Sequence, residues 1–200
     1  MNQAFLSPQP KGLNVKVKQA MCHIGTRCFF FAILACMPAM QAPAAQAQTA
    51  AGIEQTFAGS LTAMPSENLG VSGAFYVPVY SSVSMSQGKL RADFSVTLSI
   101  HNASETRPLV LRRIAYFDTS GKMVENHLKA PVALKPFSTI EVFVPTTDVR
   151  GGTGANFVVD WAATGEIAEP VVEALMLGGL GSGHYAFISQ GRPIKVVGKN

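Results

Sequence analysis

From Leu90 to Ile100 the chain alternates apolar and polar residues without a break. Leu90, Ala92, Phe94, Val96, Leu98 and Ile100 share one face, and Arg91, Asp93, Ser95, Thr97 and Ser99 share the other. Successive side chains of an extended chain point to opposite sides, so this pattern suits a strand with one buried face and does not suit a helix. Two further segments repeat it. In Thr139 to Val144, Ile140, Val142 and Val144 oppose Glu141 and Phe143. In Phe157 to Ala163, Phe157, Val159, Trp161 and Ala163 share a face that Asp160 opposes. Leu109 to Phe117, Lys122 to Leu128 and Tyr185 to Ser189 are further strand candidates by composition.

The connections agree with this reading. Asp118-Thr119-Ser120-Gly121 has the order of a hairpin turn, with Asp opening it and Gly at the left-handed position. His101-Asn102-Ala103-Ser104 and Arg107-Pro108 end one strand and start the next, and Leu134-Lys135-Pro136 closes another connection. Glu169 to Leu177 fits either a short helix with Pro170 in its first turn or a core strand, and the strand is preferred. Strands recurring roughly every 10–15 residues without clear helices between them favour antiparallel over parallel architecture. The expected fold is all-β: an antiparallel, immunoglobulin-like β-sandwich of seven to eight strands over residues 74–200. Residues 48–73, rich in Ala, Ser, Gly and Thr, read as a linker or as an arm laid over the domain.

Residues 1–47 read as a secretion leader of bacterial type. Lys11, Lys16, Lys18 and Arg27 precede an apolar run, Cys28 to Met40, and Ala45-Gln46-Ala47 offers a cleavage site after Ala47. The run is well short of the ~20 residues that span a bilayer. Met21 is an alternative start that yields a more compact leader. Ile33-Leu34-Ala35-Cys36 loosely follows a lipoprotein box, and acylation of Cys36 is the one route by which the product would be membrane-anchored. Four of the 16 Lys and Arg lie in this segment and all 12 acids follow it, so the remaining piece carries 12 − 12 = 0. The net charge of +4 therefore belongs to the leader, and no nucleic-acid partner is implied. Cys22, Cys28 and Cys36 also precede the cut, so the mature domain must be held by its core and not by disulfides. About 150 residues suffice for one such core.

Several strings resemble a known family, the bacterial domain-of-unknown-function family 3124. They are Tyr76-Val77-Pro78-Val79-Tyr80-Ser81, Leu98-Ser99-Ile100-His101-Asn102, Tyr116-Phe117-Asp118 with Gly121-Lys122, and Asp148 with Gly151-Gly152-Thr153-Gly154-Ala155-Asn156-Phe157. Glu169-Pro170 with Glu173-Ala174 and Met176 follow, then Phe187, Ser189, Gly191 and Arg192. The likeness runs from about Tyr76 to Ile194. It implies an envelope or secreted bacterial protein and implies no activity. It also implies a histidine where this chain has Ser82, so no role carries over to that position.

Among candidate sites the loop Arg150 to Asn156 stands first. Glycines let backbone approach a ligand, and successive amides can cradle an anion. Asp148, Gly151, Gly152, Gly154 and Asn156 are the residues expected to bind a ligand there. The loop lacks the Lys and Ser/Thr of a phosphate-binding P-loop. Ser182 is no nucleophile elbow, because Leu180 and His184 stand where glycines are needed. His101, His127 and His184 have no metal-ligand spacing, and Met64, Met85, Met123 and Met176 read as core filling. Tyr76, Tyr80, Tyr116 and Tyr185 read as rim tyrosines with core rings. No catalytic residue, metal or cofactor is expected. An enzyme reading requires Asp148, Asn156, Glu173 and one histidine to converge. The expectation is a periplasmic or secreted, non-catalytic module that binds an unidentified protein or small ligand through edge strands or the 150–156 loop. A structural envelope component, lipid-anchored through Cys36, is the alternative.

Overall fold

The computed structural model describes residues 52–197. The expectations for the leader, Met21 and Cys36 lie outside those residues. A short helix α1 (Ile53–Thr56) precedes β1 (Leu61–Thr62), β2 (Val71–Pro78), β3 (Ser82–Met85), β4 (Leu90–His101), β5 (Leu109–Phe117) and β6 (Met123–Asn126). Then come β7 (Val132–Leu134), β8 (Thr139–Val144), β9 (Asn156–Ala163), β10 (Val171–Leu180), β11 (Gly183–Gln190) and β12 (Arg192–Val197).

These strands form two sheets, and every pairing is antiparallel. One sheet runs β1-β7-β5-β9-β2-β12 with β6 beside β5, and the other runs β11-β10-β4-β3 with β8 beside β4. The fold is therefore all-β and antiparallel as expected, but it has twelve strands among the described residues rather than seven or eight. The excess comes from long strands that recruit short partners. β9 occupies one edge of β5, while β7 pairs with Leu109–Leu111 and β6 with Ala115–Phe117 on the other. Segments of two to four residues are too short to show a period.

Both sheets contribute to one apolar core. Val77, Leu109, Ile114 and Phe157 come from the larger sheet, and Val96, Leu98, Ile100, Val142 and Met176 from the smaller. Burying each such side chain stabilises by about 1.5–3 kcal/mol. The inner face of β4 is buried as its alternation requires, except at Leu90, which is 48% exposed. Pairing with β10 stops at Phe94, so the start of β4 has only β3 beside it. The ambiguous segment forms β10, with Val172, Ala174 and Met176 buried between exposed Val171 and Leu177. In the stretch expected as linker or arm, Ile53 joins the core and β1 pairs with β7.

Two turns show side chains completing the backbone. In the β5–β6 hairpin, Gly121 adopts φ +80°, and Asp118 Oδ1 accepts hydrogen bonds from the amides of Ser120 and Lys122. Asn102, at the end of β4, is fully buried. Its Nδ2 donates to the carbonyls of Arg107, Leu134 and Lys135 at 2.8, 3.2 and 3.0 Å, and its Oδ1 accepts from the Ser104 amide. One side chain thus ties the end of β4 to the start of β5 and to the β7–β8 turn. Truncation takes a donor from all three carbonyls, of which that of Lys135 keeps Ser138, and leaves the buried Ser104 amide without its side-chain acceptor. Asn102→Ala is expected to lower the unfolding free energy by about 3 kcal/mol, read from urea denaturation.

Candidate functional site

The glycine-rich loop between β8 and β9 is folded back on the domain. Gly151 is buried, and its carbonyl accepts from both the amide and the hydroxyl of Thr119, at 3.0 and 2.9 Å. The Gly154 amide donates to Thr119 Oγ1 at 2.9 Å, and the Gly152 amide donates to Ser81 Oγ at 2.8 Å. The Gly152 carbonyl takes the Ser81 amide, and Thr153 Oγ1 donates to the Ser82 carbonyl. Ser81 and Thr119 thus already engage the Gly152 and Gly154 amides that a bound anion would use. Two glycines are needed for conformation and space. Gly152 has φ +70°, and a Cβ on Gly151 would fall on the Tyr116 hydroxyl and 2.6 Å from Ala155 Cβ. Asn156 opens β9, paired with Phe117 and Pro78.

Beneath this loop the aromatic rings of Tyr116 and Phe157 stack at 4.9 Å, and His127 lies 5.9 Å from Phe157. Burial raises the Tyr116 hydroxyl above its ordinary value, opposed by the Ser81 side chain. Burial likewise holds His127 below its usual 6.5, against the pull of Glu125. Its Nε2 is buried with no hydrogen-bond partner among the described residues. The loop's charged pair reaches this group. Asp148 receives Arg150 as a fork, Nε to Oδ1 at 2.8 Å and Nη2 to Oδ2 at 2.6 Å, which holds the carboxyl below the usual carboxylate range. Arg150 Nη2 also lies 3.6 Å from Glu125, and the other Glu125 oxygen lies 3.7 Å from His127 Nδ1. Asp148, Arg150, Glu125 and His127 form one chain of polar contacts from the loop across β6.

That chain ends at a cleft of about 390 Å³ between α1, β8 and the end of β6. Ile53, Phe57 and Phe143 give it apolar walls, and Glu125, His127 and Lys129 give it polar ones. Sequence reasoning missed Ile53, Phe57, Glu125 and Lys129. The available signal was the pairing of Glu125 with His127 two residues on, which places both on one side of an extended segment.

The remaining candidates lie elsewhere. Glu173 sits on β10 opposite Ser99 and Gln190, in the sheet that does not contain Asn156. His101 bridges Ser99 and Thr139 at 2.9 and 2.8 Å, and His184 is exposed beside the β10–β11 turn. Among the described residues no three His, Cys, Asp or Glu side chains gather to hold a metal. No helix among them is long and apolar enough to cross a membrane.

Residues 72–194 match the model of a family described as "Protein of unknown function (DUF3124)". No curated protein matches the chain. The crystal structure of Thermotoga maritima 1070 is similar with a TM-score of 0.37 and 13% identity, over 60% of this chain and 92% of that one.

Two outcomes are expected at this site. Gly151→Ala should cost about 3 kcal/mol of stability in urea denaturation, and adding Tyr116→Phe should restore part of it by removing the hydroxyl. The second concerns pH. His127 has a folded pKa below its unfolded value, so between the two the unfolded chain binds more protons. Stability must therefore fall as pH drops below 6.5. The paired Asp148 is lost only at lower pH, below its unfolded 3.8, so the two windows separate. Tm measured from neutral to mildly acidic pH should decline less in His127→Gln than in the wild type.

Proposed function

This chain belongs to the DUF3124 family of proteins of unknown function, and from that premise we propose that it is a non-catalytic, exported envelope module that binds a small amphipathic ligand in the cleft between α1, β6 and β8. The observation that carries this reading is the composition of the cleft. Phe57 and Phe143 offer an apolar bed, while Glu125, His127 and Lys129 offer both signs of charge and a largely neutral imidazole. A concave, mostly apolar site with a few convergent polar groups is what small-molecule binding requires. The loop contributes by position: Asp148 holds Arg150, and Arg150 sets the Glu125 carboxylate at the cleft rim. Gly151, Gly152 and Gly154 let the loop lie close enough to do so, and Asn156 begins the strand that follows it. Export rests on the leader pattern before Gln48, and an immunoglobulin-like sandwich is the frame we assign to the two sheets and their shared core.

Native mass spectrometry of the protein purified from the envelope of its own cells tests this. The expected mass is that of Gln48–Asn200 plus a small adduct, with the adduct lost from the Phe143→Asp variant. A bare mass, or an adduct that survives that change, overturns the cleft as the ligand site. A mass beginning at Cys36 with acyl chains would replace the reading with a lipid-anchored structural component.

A further inference from the structure

β11 is an edge strand of an unusual kind. Among the described residues it pairs only with β10. Side chains on both of its faces are exposed, including Tyr185, Phe187 and Ile188 at 42, 36 and 60%. Gly183–Gln190 contains no Asp, Glu, Lys, Arg or Pro. A long, uncharged, apolar edge is a template for another strand, and proteins normally blunt such edges. The other edges here are blunted. β12 carries Arg192, Pro193 and Lys195 and a register shift between the last two. β1 has two residues, while β3 and β6 have four each. β8 carries Glu141 and lies beside α1.

We propose that β11 is a self-association edge, through which two copies of this chain pair antiparallel about a two-fold axis at Phe187. The register of the β10–β11 hairpin carries the inference. Its two-residue turn, Gly181-Ser182, makes Leu180 and Gly183 the hydrogen-bonded closing pair. Every second residue of β11 then directs its backbone to β10, a parity that the Gly191 amide keeps by donating to the Val172 carbonyl at 2.7 Å. His184, Ala186, Ile188 and Gln190 are left with N–H and C=O pointing outward. A two-fold axis at Phe187 matches this set with itself, His184 against Gln190 and Ala186 against Ile188. It places Phe187 opposite its own copy, and Tyr185 opposite Ser189, in the pairs where side chains approach most closely. No like charges meet anywhere along the ladder, so a second copy is the partner that this strand fits along its full length. Such an isologous contact closes at two copies and does not propagate.

Analytical ultracentrifugation of the processed protein tests the proposal. A concentration-dependent dimer is expected. Ala186→Pro removes an outward N–H and spares the ladder to β10, so it should weaken dimerisation about tenfold or more. Phe187 also packs on Tyr80 and Phe94, so a charge pair at that position supplies a test that a folding defect cannot imitate. Phe187→Lys and Phe187→Glu should each be monomeric alone and should form a mixed dimer when combined. A wild-type protein that stays monomeric at all concentrations overturns the proposal. So does a dimer that survives both Ala186→Pro and Phe187→Lys, or the absence of a mixed dimer between two variants whose circular dichroism shows them folded.

Discussion

The structure depends on the burial of one face of β4. Its partners β10 and β8 lie along its two edges from about Phe94 onward, and its inward residues Val96, Leu98 and Ile100 are fully buried. The described chain contains no cysteine, so nothing covalent holds the sheets together. Hydrophobic burial must offset the entropy of ordering the chain, with side chains such as Asn102 and Thr119 satisfying the backbone where strands end. The two sheets meet over that buried face, and both the β8–β9 loop and α1 are positioned by strands that pack against it.

Legibility in the sequence followed the length of each alternating run. β4, β8 and β9 are long enough, and buried on one face only over enough of their length, for period two to show. β5 is less clear because Leu109, Val110 and Leu111 are buried in succession. There, Val110 packs with Ala133 and Ala162 beneath Leu69, a residue of the stretch read as linker or arm, so both faces are covered. β3, β6 and β7 are too short to carry a period. β11 has little difference in burial between its faces, so its pattern says only that the segment is extended.

The site was legible in its parts and not in its pairings. Glycines at 151, 152 and 154 mark a place where backbone must come close to something. What it approaches is Ser81, Thr119 and Tyr116, between 32 and 71 residues away in the chain. No local pattern encodes such partners, because they meet only when β2, β5 and β9 align in one sheet. The same holds for Arg150 and Glu125, whose contact requires the β8–β9 loop to lie over β6. The ion pair of Arg150 with Asp148 is local, and its exposure limits what it adds to stability. Its consequence is directional, since it orients the guanidinium toward a second carboxylate.

The order of the smaller sheet keeps its two exposed features apart. β8 lies on one side of β4, while β10 and then β11 lie on the other. Three strand spacings of ~4.8 Å separate the cleft wall at β8 from the β11 edge by roughly 14 Å. The row Phe143, Thr97, Leu175, Ile188 crosses that distance in register, with its first residue in the cleft wall and its last on β11. Pairing at β11 extends the sheet away from β4 and leaves the cleft face of β8 untouched. A two-fold assembly built this way carries one open cleft at each outer end of a continuous sheet. Occupancy of one surface then imposes no steric condition on the other, and coupling between them would have to pass through the hydrogen-bonded ladder of β4 and β10 itself.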